Sequence, residues 1–265
     1  MLKRPVHKRR GSRKIHIHLV LIALLLLCSM AGCVYLRLLS LKNQFARFEE
    51  NFSIEAGARL ALHFNNPVLY DTDIIELTNL QPSRVDKNPD SSAFVFHFAK
   101  QEKAMPAASG KDLVFLMNFN RDRKLEALVF SEAILKLVPP EFLELSLRSL
   151  GYAEVDKKRR QLRADSTRVV RRHLHAPGYD AIRLVLGDPM QEERTAQEWK
   201  VVYEYRLNTP TRDKQADTLR RTVVTLWFDP VSRELDQLSG NFAGLKLTLH
   251  YERMIQKEYA ESKTR

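Results

Sequence analysis

The sequence has few of the residues that most often build reactive sites. Its two cysteines, Cys28 and Cys33, lie in one apolar run, so the rest of the chain has no disulfide, thiolate zinc site or cysteine nucleophile. Only 9 glycines occur in 265 residues, which leaves little room for phosphate-cradling loops. Walker A, dinucleotide-binding, nucleophile-elbow and zinc-protease motifs are all missing from the sequence. We therefore expect a protein with no cofactor and no catalytic residues, which is not an enzyme.

Positive charge is concentrated at the start of the chain. The formal net charge is +11, from 43 basic and 32 acidic residues. Residues 1–18 hold seven of the basic residues and no acid, so the remainder, with 36 basic and 32 acidic residues, carries only +4. The high isoelectric point thus describes a basic cytoplasmic segment, and no nucleic-acid partner is expected.

An uncharged, almost wholly apolar run follows at residues 19–36. As a helix it would be about 27 Å long, close to the hydrocarbon thickness of a bilayer. The run therefore predicts a transmembrane helix that acts as a signal anchor. The basic flank predicts a single-pass inner-membrane protein with its N-terminus in the cytoplasm and its C-terminal domain in the bacterial periplasm.

Two other fates of this segment remain open. Met30-Ala31-Gly32-Cys33 places small residues before a cysteine, as in lipoprotein precursors, so Cys33 is a candidate for lipidation. Alternatively, Ala31 and Cys33 could occupy the −3 and −1 positions of a cleaved signal peptide.

A helical stripe follows the apolar run. Leu38, Leu41, Phe45, Phe48 and Phe52 are spaced alternately by three and four residues. This spacing predicts a juxtamembrane helix in residues 37–66. The stripe could pack on its own domain, self-associate through residues 38–52, or dock on a helix of another membrane protein.

An internal repeat is the most informative feature. Residues 73–82 and 180–189 both begin with Asp and end with Pro, at an offset of 107. At the same offset, residues 94–98 and 201–205 alternate as strands do, and each is followed by a long polar loop, 99–112 or 208–221. Further strand-like segments follow at 113–119 and 222–228.

The repeat predicts an α+β fold, in which the transmembrane helix precedes two repeated units of one helix and a three-stranded antiparallel meander. The predicted units cover residues 67–138 and 173–250. A helical and basic connector, residues 139–172, joins them, and a charged tail follows at residues 251–265.

The second unit resembles a known family. A short helix ending in Leu186-Gly-Asp-Pro189, an aromatic strand from Trp199 to Tyr205, and a strand ending in Phe228-Asp229 look like the small SmpA/OmlA (BamE-like) envelope lipoproteins. A tandem of such units is similar to the architecture of the β-lactamase inhibitor protein. The resemblance implies a bacterial periplasmic binding protein that is not an enzyme.

Other groups of polar residues predict no site. His173 and His175 would share one strand face, but a metal needs further ligands that their neighbours do not supply. Glu141, Glu144 and Asp156 are too common a set to indicate catalysis, and the basic run 157–163 is expected to be a solvated face. No metal site is therefore expected.

The candidate binding surface lies mainly in the second unit. Trp227 and Glu204 should point away from the aromatic side of the meander, and Trp199 and His97 complete the predicted partner surface. The predicted function is a membrane-anchored, extracytoplasmic protein-binding or scaffold protein of the cell envelope. Its expected partner is an envelope or inner-membrane protein. The alternatives are an envelope hydrolase with a site between the two units, or a lipoprotein of the same fold.

Overall fold

The computed structural model describes residues 34–57, 59–102, 111–152, 154–156, 161–163, 173–209, 220–242 and 245–255. Several segments named above lie outside these residues: the basic segment 1–18, most of the apolar run, Cys33, the centres of both long polar loops, residues 157–160 of the basic run and residues 256–265 of the tail.

Short helices alternate with strands along the described chain. In chain order they are α1 at residues 34–46, α2 at Phe48–Asn51, α3 at Asp71–Thr78, α4 at Glu132–Leu137, α5 at Pro140–Ser149, α6 at Tyr179–Leu186 and α7 at Tyr251–Met254; a 3₁₀ turn at Leu150–Tyr152 follows α5. The start of α3 is fixed by Asp73, whose carboxylate accepts a hydrogen bond from the Tyr70 amide at 2.8 Å. Pro140 suits the first turn of α5 because a residue there needs no amide donor.

Thirteen strands occur among the described residues. They are β1 at Phe52–Ala56, β2 at Leu60–Phe64, β3 at Arg84–Lys87, β4 at Ser92–Lys100, β5 at Leu113–Phe119, β6 at Leu125–Phe130, β7 at Glu154–Asp156, β8 at Gln161–Arg163, β9 at Gln191–Arg194, β10 at Trp199–Leu207, β11 at Arg221–Phe228, β12 at Leu235–Phe242 and β13 at Leu245–His250. All but β7 and β8 belong to one antiparallel sheet, in the order β1-β2-β6-β5-β4-β10-β11-β12-β13. The short strands β3 and β9 add to β4 and β10 respectively.

This sheet shows that the predicted fold class is wrong. The prediction placed a transmembrane helix before two units, each with a helix and a three-stranded meander. Instead, eleven strands form a single sheet, because β4 pairs directly with β10. The sequence pattern could not reveal this pairing, since it joins residues about one hundred positions apart.

The prediction of a membrane-spanning helix is also wrong. Within the described parts of the chain, the helices are too short or too polar for any of them to cross a bilayer. Only residues 34–36 of the predicted span lie in the described part of the chain, and this part gives no support to the transmembrane assignment or to the single-pass inner-membrane location that depended on it.

The two halves of the sheet are related by a local twofold arrangement. β3 to β6 follow α3 in the same order in which β9 to β12 follow α6. Where β4 meets β10, Ala99 lies opposite Arg206, Phe98 opposite Leu207 and Lys100 opposite Tyr205. At the offset of 107 residues Ala99 corresponds to Arg206, so the local axis passes between these two residues.

The segment after α1 departs from the expected helix. Residues 37–66 were predicted to be helical, but the helical turns end at Asn51 and the hairpin β1–β2 follows. Alternate residues of β2, namely Leu60, Leu62 and Phe64, are buried, which is the period of a strand with one face in the core. Phe52 still joins the aromatic cluster of the stripe, and its ring lies 4.5 Å from that of Phe45.

All the main packing lies on one face of the sheet, which we call the inner face. In β10 this face carries Trp199, Val201, Tyr203, Tyr205 and Leu207, all of them buried. The helices pack here: α4 contacts β5 and α6, and α7 contacts β12 and α5. The Tyr251 hydroxyl of α7 donates to the Leu137 carbonyl of α4 at 2.5 Å, which ties the ends of the two halves together.

Candidate functional site

The opposite face of the sheet, here called the open face, contains the candidate site. Successive side chains of a strand point to opposite faces, so the residues that alternate with the inner-face set point outward. These outward residues do not belong to the hydrophobic core of the described chain, and most of them remain partly exposed. Ala127 and Val202 are the buried exceptions among them.

On the open face of the first half, residues paired across neighbouring strands form an unbroken row. Ala61 of β2 pairs with Val129 of β6, which pairs with Leu116 of β5, which in turn pairs with Val95 of β4. We call these four residues the apolar row; all four side chains are partly exposed. Because they project from hydrogen-bonded strands, they present a fixed apolar surface to solvent.

Charged residues stand at both ends of the apolar row. Glu55 of β1 pairs with Ala61, and Arg84 of β3 pairs with Val95, so the register continues without a break. Their side chains are 81% and 69% exposed respectively. Glu55 Oε2 lies 3.3 Å from His63 Nε2, and Glu55 lines one pocket with Arg59. At the other end, Arg84 Nε lies 2.8 Å from Asp86 Oδ1.

The equivalent row of the second half has a different chemistry. It runs from Gln191 through Val202, Thr225 and Ser239 to Thr248, again in register. We call Val202, Thr225, Ser239 and Thr248 the hydroxyl row, because three of its members carry hydroxyl groups. The hydroxyl oxygens of Ser239 and Thr248 lie 3.4 Å apart across two strands. The same scaffold is therefore apolar in one half and polar in the other.

Three of the four predicted surface residues lie on the open face. His97 points outward from β4, and its Nε2 lies 2.7 Å from Asp112 Oδ2. Glu204 points outward from β10, where Arg221 donates to it at 2.5 Å. Trp227 also points outward, is partly exposed, and pairs with Lys200.

Trp199 lies on the other side of the sheet and cannot meet a partner in this structure. Only 2% of its surface is exposed, and its ring packs 4.2 Å from that of Tyr179. Its indole nitrogen donates to Glu192 at 2.9 Å, which satisfies the one polar group of the side chain. Trp199 is therefore a core residue of the second half, in contrast to the prediction.

A buried lysine lies at the junction of the two halves. Lys100 ends β4 on the inner face, and its amine donates to the Asp188 carbonyl at 2.6 Å and lies 3.7 Å from Glu102. Burial lowers the pKa of this amine, while the charges of Glu102 and Asp188 act in the opposite direction. The Tyr203 ring lies 5.5 Å from the amine and adds a cation–π contact.

The other polar candidates stay apart. Glu144 pairs with Arg148 one turn later on α5, at 2.8 Å, as a surface helix pair does. In the described segments, His, Cys, Asp and Glu side chains form no group of three or more that could hold a metal ion. His173 lies in the described part and does not belong to such a group.

The sequence analysis missed the residues of the apolar row. Their signal was present as alternation: in β4, Val95 and Ala99 alternate with Phe94, Phe96 and Phe98. When the residues on both faces of a strand are apolar, the sequence does not show which face is covered by helices. The partly exposed set is then easily taken for a second core-facing set.

Comparisons with known proteins found no match for the chain. No protein-family model matches it, and neither a curated protein nor a solved structure shows significant similarity. The resemblance to the envelope lipoproteins thus stays a prediction, as does the alternative of a hydrolase.

Proposed function

We propose that this protein is a binding or scaffold protein that contacts another protein through the open face of the first half, without a covalent step. The apolar row is the observation that carries this proposal. Leu116, Val95 and Val129 remain partly exposed in the centre of a sheet. Covering apolar surface contributes roughly 25 cal/mol per Å², so a partner that buries the row gains affinity.

The shape of the surface favours a protein over a small molecule. Small-molecule sites are concave and enclose most of their ligand, whereas protein partners dock on broad surfaces with an apolar centre and a polar rim. The apolar row extends across four strands and ends at Glu55 and Arg84, which fits the second description. The sheet also holds these side chains rigidly, so little conformational entropy is lost on binding.

The proposal shifts the centre of the surface towards the first half. His97, which we had predicted as a surface residue, lies on the same strand as Val95 and two residues beyond it. Glu204 and Trp227 lie in the second half, where the neighbouring row is polar. We therefore expect His97 to lie at the rim of the contact, and Trp227 to contribute less.

A pair of matched substitutions tests the proposal. The full chain is expressed with a tag in its own cells, with Leu116→Asp in one variant and the equivalent Thr225→Asp in the other. We expect Leu116→Asp to remove a co-purified protein that wild type and Thr225→Asp retain, because a buried unpaired carboxylate is costly. Equal melting temperatures of the two variants would show that both are folded.

The proposal would be overturned by either of two results. One is that both variants retain the same co-purified proteins as wild type. The other is that Thr225→Asp alone loses them, which would move the contact to the second half.

A further inference from the structure

We infer that the outer edge of β13 binds one extended segment of a partner protein, which pairs antiparallel to β13 and places an acidic residue opposite Thr248. This edge lies at the far end of the second half and is separate from the apolar row. The inference rests on the equivalence of β13 and β2. The strand β1 covers the outer edge of β2, whereas no strand of the described chain covers that of β13.

The strands β2 and β13 occupy equivalent places in the two halves of the sheet. Ala61 of β2 pairs with Val129 of the apolar row, and Thr248 of β13 pairs with the equivalent Ser239 of the hydroxyl row. Both strands run antiparallel to these neighbours, so their other residues correspond by counting from Ala61 and Thr248. The corresponding pairs are Arg59 with Lys246, Leu62 with Leu249, and His63 with His250.

The backbone of β13 has unpaired donors and acceptors along its outer edge. In the first half, the Asn65 amide donates to the Asn51 carbonyl at 2.9 Å, so the backbone groups of Asn65 face β1. Backbone groups alternate in direction along a strand, so those of Ala61, four residues earlier, also face β1. Thr248 corresponds to Ala61, and its amide and carbonyl therefore point away from β12 towards the free edge.

Glu55 shows what an added strand contributes at such an edge. It lies opposite Ala61, and its Oε2 atom lies 3.3 Å from His63 Nε2. It also lines one pocket with Arg59, two residues before Ala61. On β2, a carboxylate of the covering strand thus lies between the positions of an arginine and a histidine.

The strand β13 repeats this pattern without the carboxylate. Lys246 and His250 occupy the positions two residues to either side of Thr248, as Arg59 and His63 do around Ala61. His250 is partly exposed, and its imidazole has no hydrogen-bond partner in the described segments. An acidic residue opposite Thr248 takes the place that Glu55 has on β2. Charge complementarity therefore selects an acidic strand for this edge.

The next residue of the added strand should be apolar and branched. In β1, Ile54 lies opposite Leu62 and packs against the hydrophobic core. Leu249 corresponds to Leu62 and is buried on the inner face. The residue opposite Leu249 faces the same side, where Ile or Val suits a strand. In strand addition of this kind, main-chain hydrogen bonds give affinity and alternate side chains give specificity.

A second copy of this chain fits the edge less well than an acidic strand. Antiparallel pairing of β13 with β13 of another copy, centred on Thr248, places Lys246 of each copy opposite His250 of the other. The strand β13 contains no acidic residue that would compensate these basic residues.

The free edge of β1 in another copy is also a poor match. Its outward backbone groups belong to Ile54, which is an inner-face residue, whereas those of β13 belong to Thr248 on the open face. Side chains of directly paired residues lie on the same side of a sheet. Such a pairing would therefore turn one sheet over relative to the other and separate the two layers of helices.

A selection experiment with the full chain tests this inference. The probe is a displayed library of peptides as long as residues 50–57, with Ile or Val at the position of Ile54 and random residues elsewhere. One half of the library has Asp or Glu at the position of Glu55, and the other half has Lys there. Selection is run on wild type, on Thr248→Pro, which lacks the outward amide, and on Thr248→Glu, which keeps the backbone and adds a negative charge.

We expect wild type to enrich the acidic peptides. A selected peptide should bind about tenfold more weakly to Thr248→Pro, because a main-chain hydrogen bond is lost and the proline ring obstructs the edge. Thr248→Glu should instead enrich the peptides with Lys. In hydrogen exchange, a selected peptide should protect the outward amides of Lys246, Thr248 and His250 in wild type.

A matched proline substitution tests whether the edge of β13 is free. Thr248→Pro should lower the Tm by less than about 4 °C, because the amide that it removes bonds to no other strand. Ala61→Pro should lower the Tm further, because it removes the equivalent amide, which faces β1. Equal losses would show that β13 is already covered, and would overturn the inference.

Other results would overturn it as well. They are enrichment of no peptide, enrichment that Thr248→Pro leaves unchanged, no preference for an acidic residue, and protection that spares the outward amides of β13. Dimers of wild type that Thr248→Pro abolishes would replace the partner strand by a second copy. Leu116→Asp tests the proposed function separately, so the failure of one proposal leaves the other standing.

Discussion

Leu116 and Thr225 occupy equivalent positions in the two halves of the sheet, and so do Val129 and Ser239. The backbone around them is the same, down to a register shift after Asn118 in β5 and after Trp227 in β11. At these positions of the open face, the chemistry of the side chains differs. Because the second half carries hydroxyl side chains at these partly exposed positions, the fold does not require apolar residues there, which supports the docking surface proposed for the first half.

On the inner face and in the turns, several positions of the two halves carry the same residue. Ile74 and Ile182 are each the fourth residue of their helix, α3 and α6 respectively, and both are buried. The turns after β5 and β11 also correspond: Arg123 and Arg233 adopt left-handed backbone conformations and reach back to Asp71 and Asp180. At these positions of the core and of the turns, the two halves are alike.

The largest expected difference in the free energy of unfolding is between a substitution on the inner face and one on the open face of the second half. Trp199→Ala should lower the free energy of unfolding by about 4 kcal/mol, because it empties a large buried volume. Trp227→Ala, on the open face, should cost no more than about 1 kcal/mol. Urea denaturation of both variants measures the difference. Similar losses for the two would mean that the open face is covered.

One core substitution in each half tests whether the halves fold as one body. Ile74→Ala and Ile182→Ala should each cost about 3 kcal/mol, since each leaves a cavity beneath a helix. Because β4 and β10 are paired, both variants should shift the same single unfolding transition. Differential scanning calorimetry provides the measurement. Two separate transitions, of which each variant moves one, would contradict a continuous sheet.

A smaller effect distinguishes the first turns of α3 and α6. The side chain of Asp73 is only 2% exposed and accepts hydrogen bonds from Arg37, one at 2.6 Å from Nε. Asp73→Ala should cost about 2 kcal/mol, below the range for a fully buried pair because Arg37 keeps some access to water. Asp180 pairs with Arg233 but is 77% exposed, so Asp180→Ala should cost less than about 1 kcal/mol. Equal losses in urea denaturation would refute this distinction.

The smallest effect concerns the junction of the halves, where Lys100 corresponds to the apolar Leu207. Lys100→Met should change the free energy of unfolding at neutral pH by less than about 1.5 kcal/mol. The pKa of Lys100 in the folded state is below its ordinary value of 10.5, so the unfolded chain binds more protons between these two values. Lys100 therefore makes stability rise with pH up to about 10.5.

The difference between wild type and Lys100→Met isolates this effect, because the buried tyrosines titrate in both proteins. We expect wild type to gain stability relative to the variant as the pH of urea denaturation is raised from 8 towards about 10.5. A difference that is constant with pH would show that the amine is not buried as the structure indicates.

The sequence predicts local elements better than their arrangement. Alternation at residues 94–98 and 201–205 predicts strands, and both segments lie in β4 and β10. The strands β3 and β9 were missed because all four residues of each are exposed, which leaves no periodic signal. The pairing of β4 with β10 was missed because it spans only three residue pairs and joins distant parts of the chain.

The candidate site was predicted only in part, for a similar reason. The sequence shows that Trp227 and Val95 are apolar, but it does not show whether helices cover the face of the sheet on which they lie. That depends on where α4 to α7 pack, and they all pack on the inner face. Trp199 was misplaced because an aromatic residue at the start of a strand reads equally well as core or surface.

The most direct test of the docking surface is site-specific photo-crosslinking in living cells. A photoreactive amino acid replaces Leu116 in one form of the full chain and Thr225 in another, so that the two probes occupy equivalent positions. We predict a discrete crosslinked protein from position 116 and none from position 225. Crosslinks of equal yield from both positions, or from position 225 alone, would contradict the assignment of the docking surface to the first half.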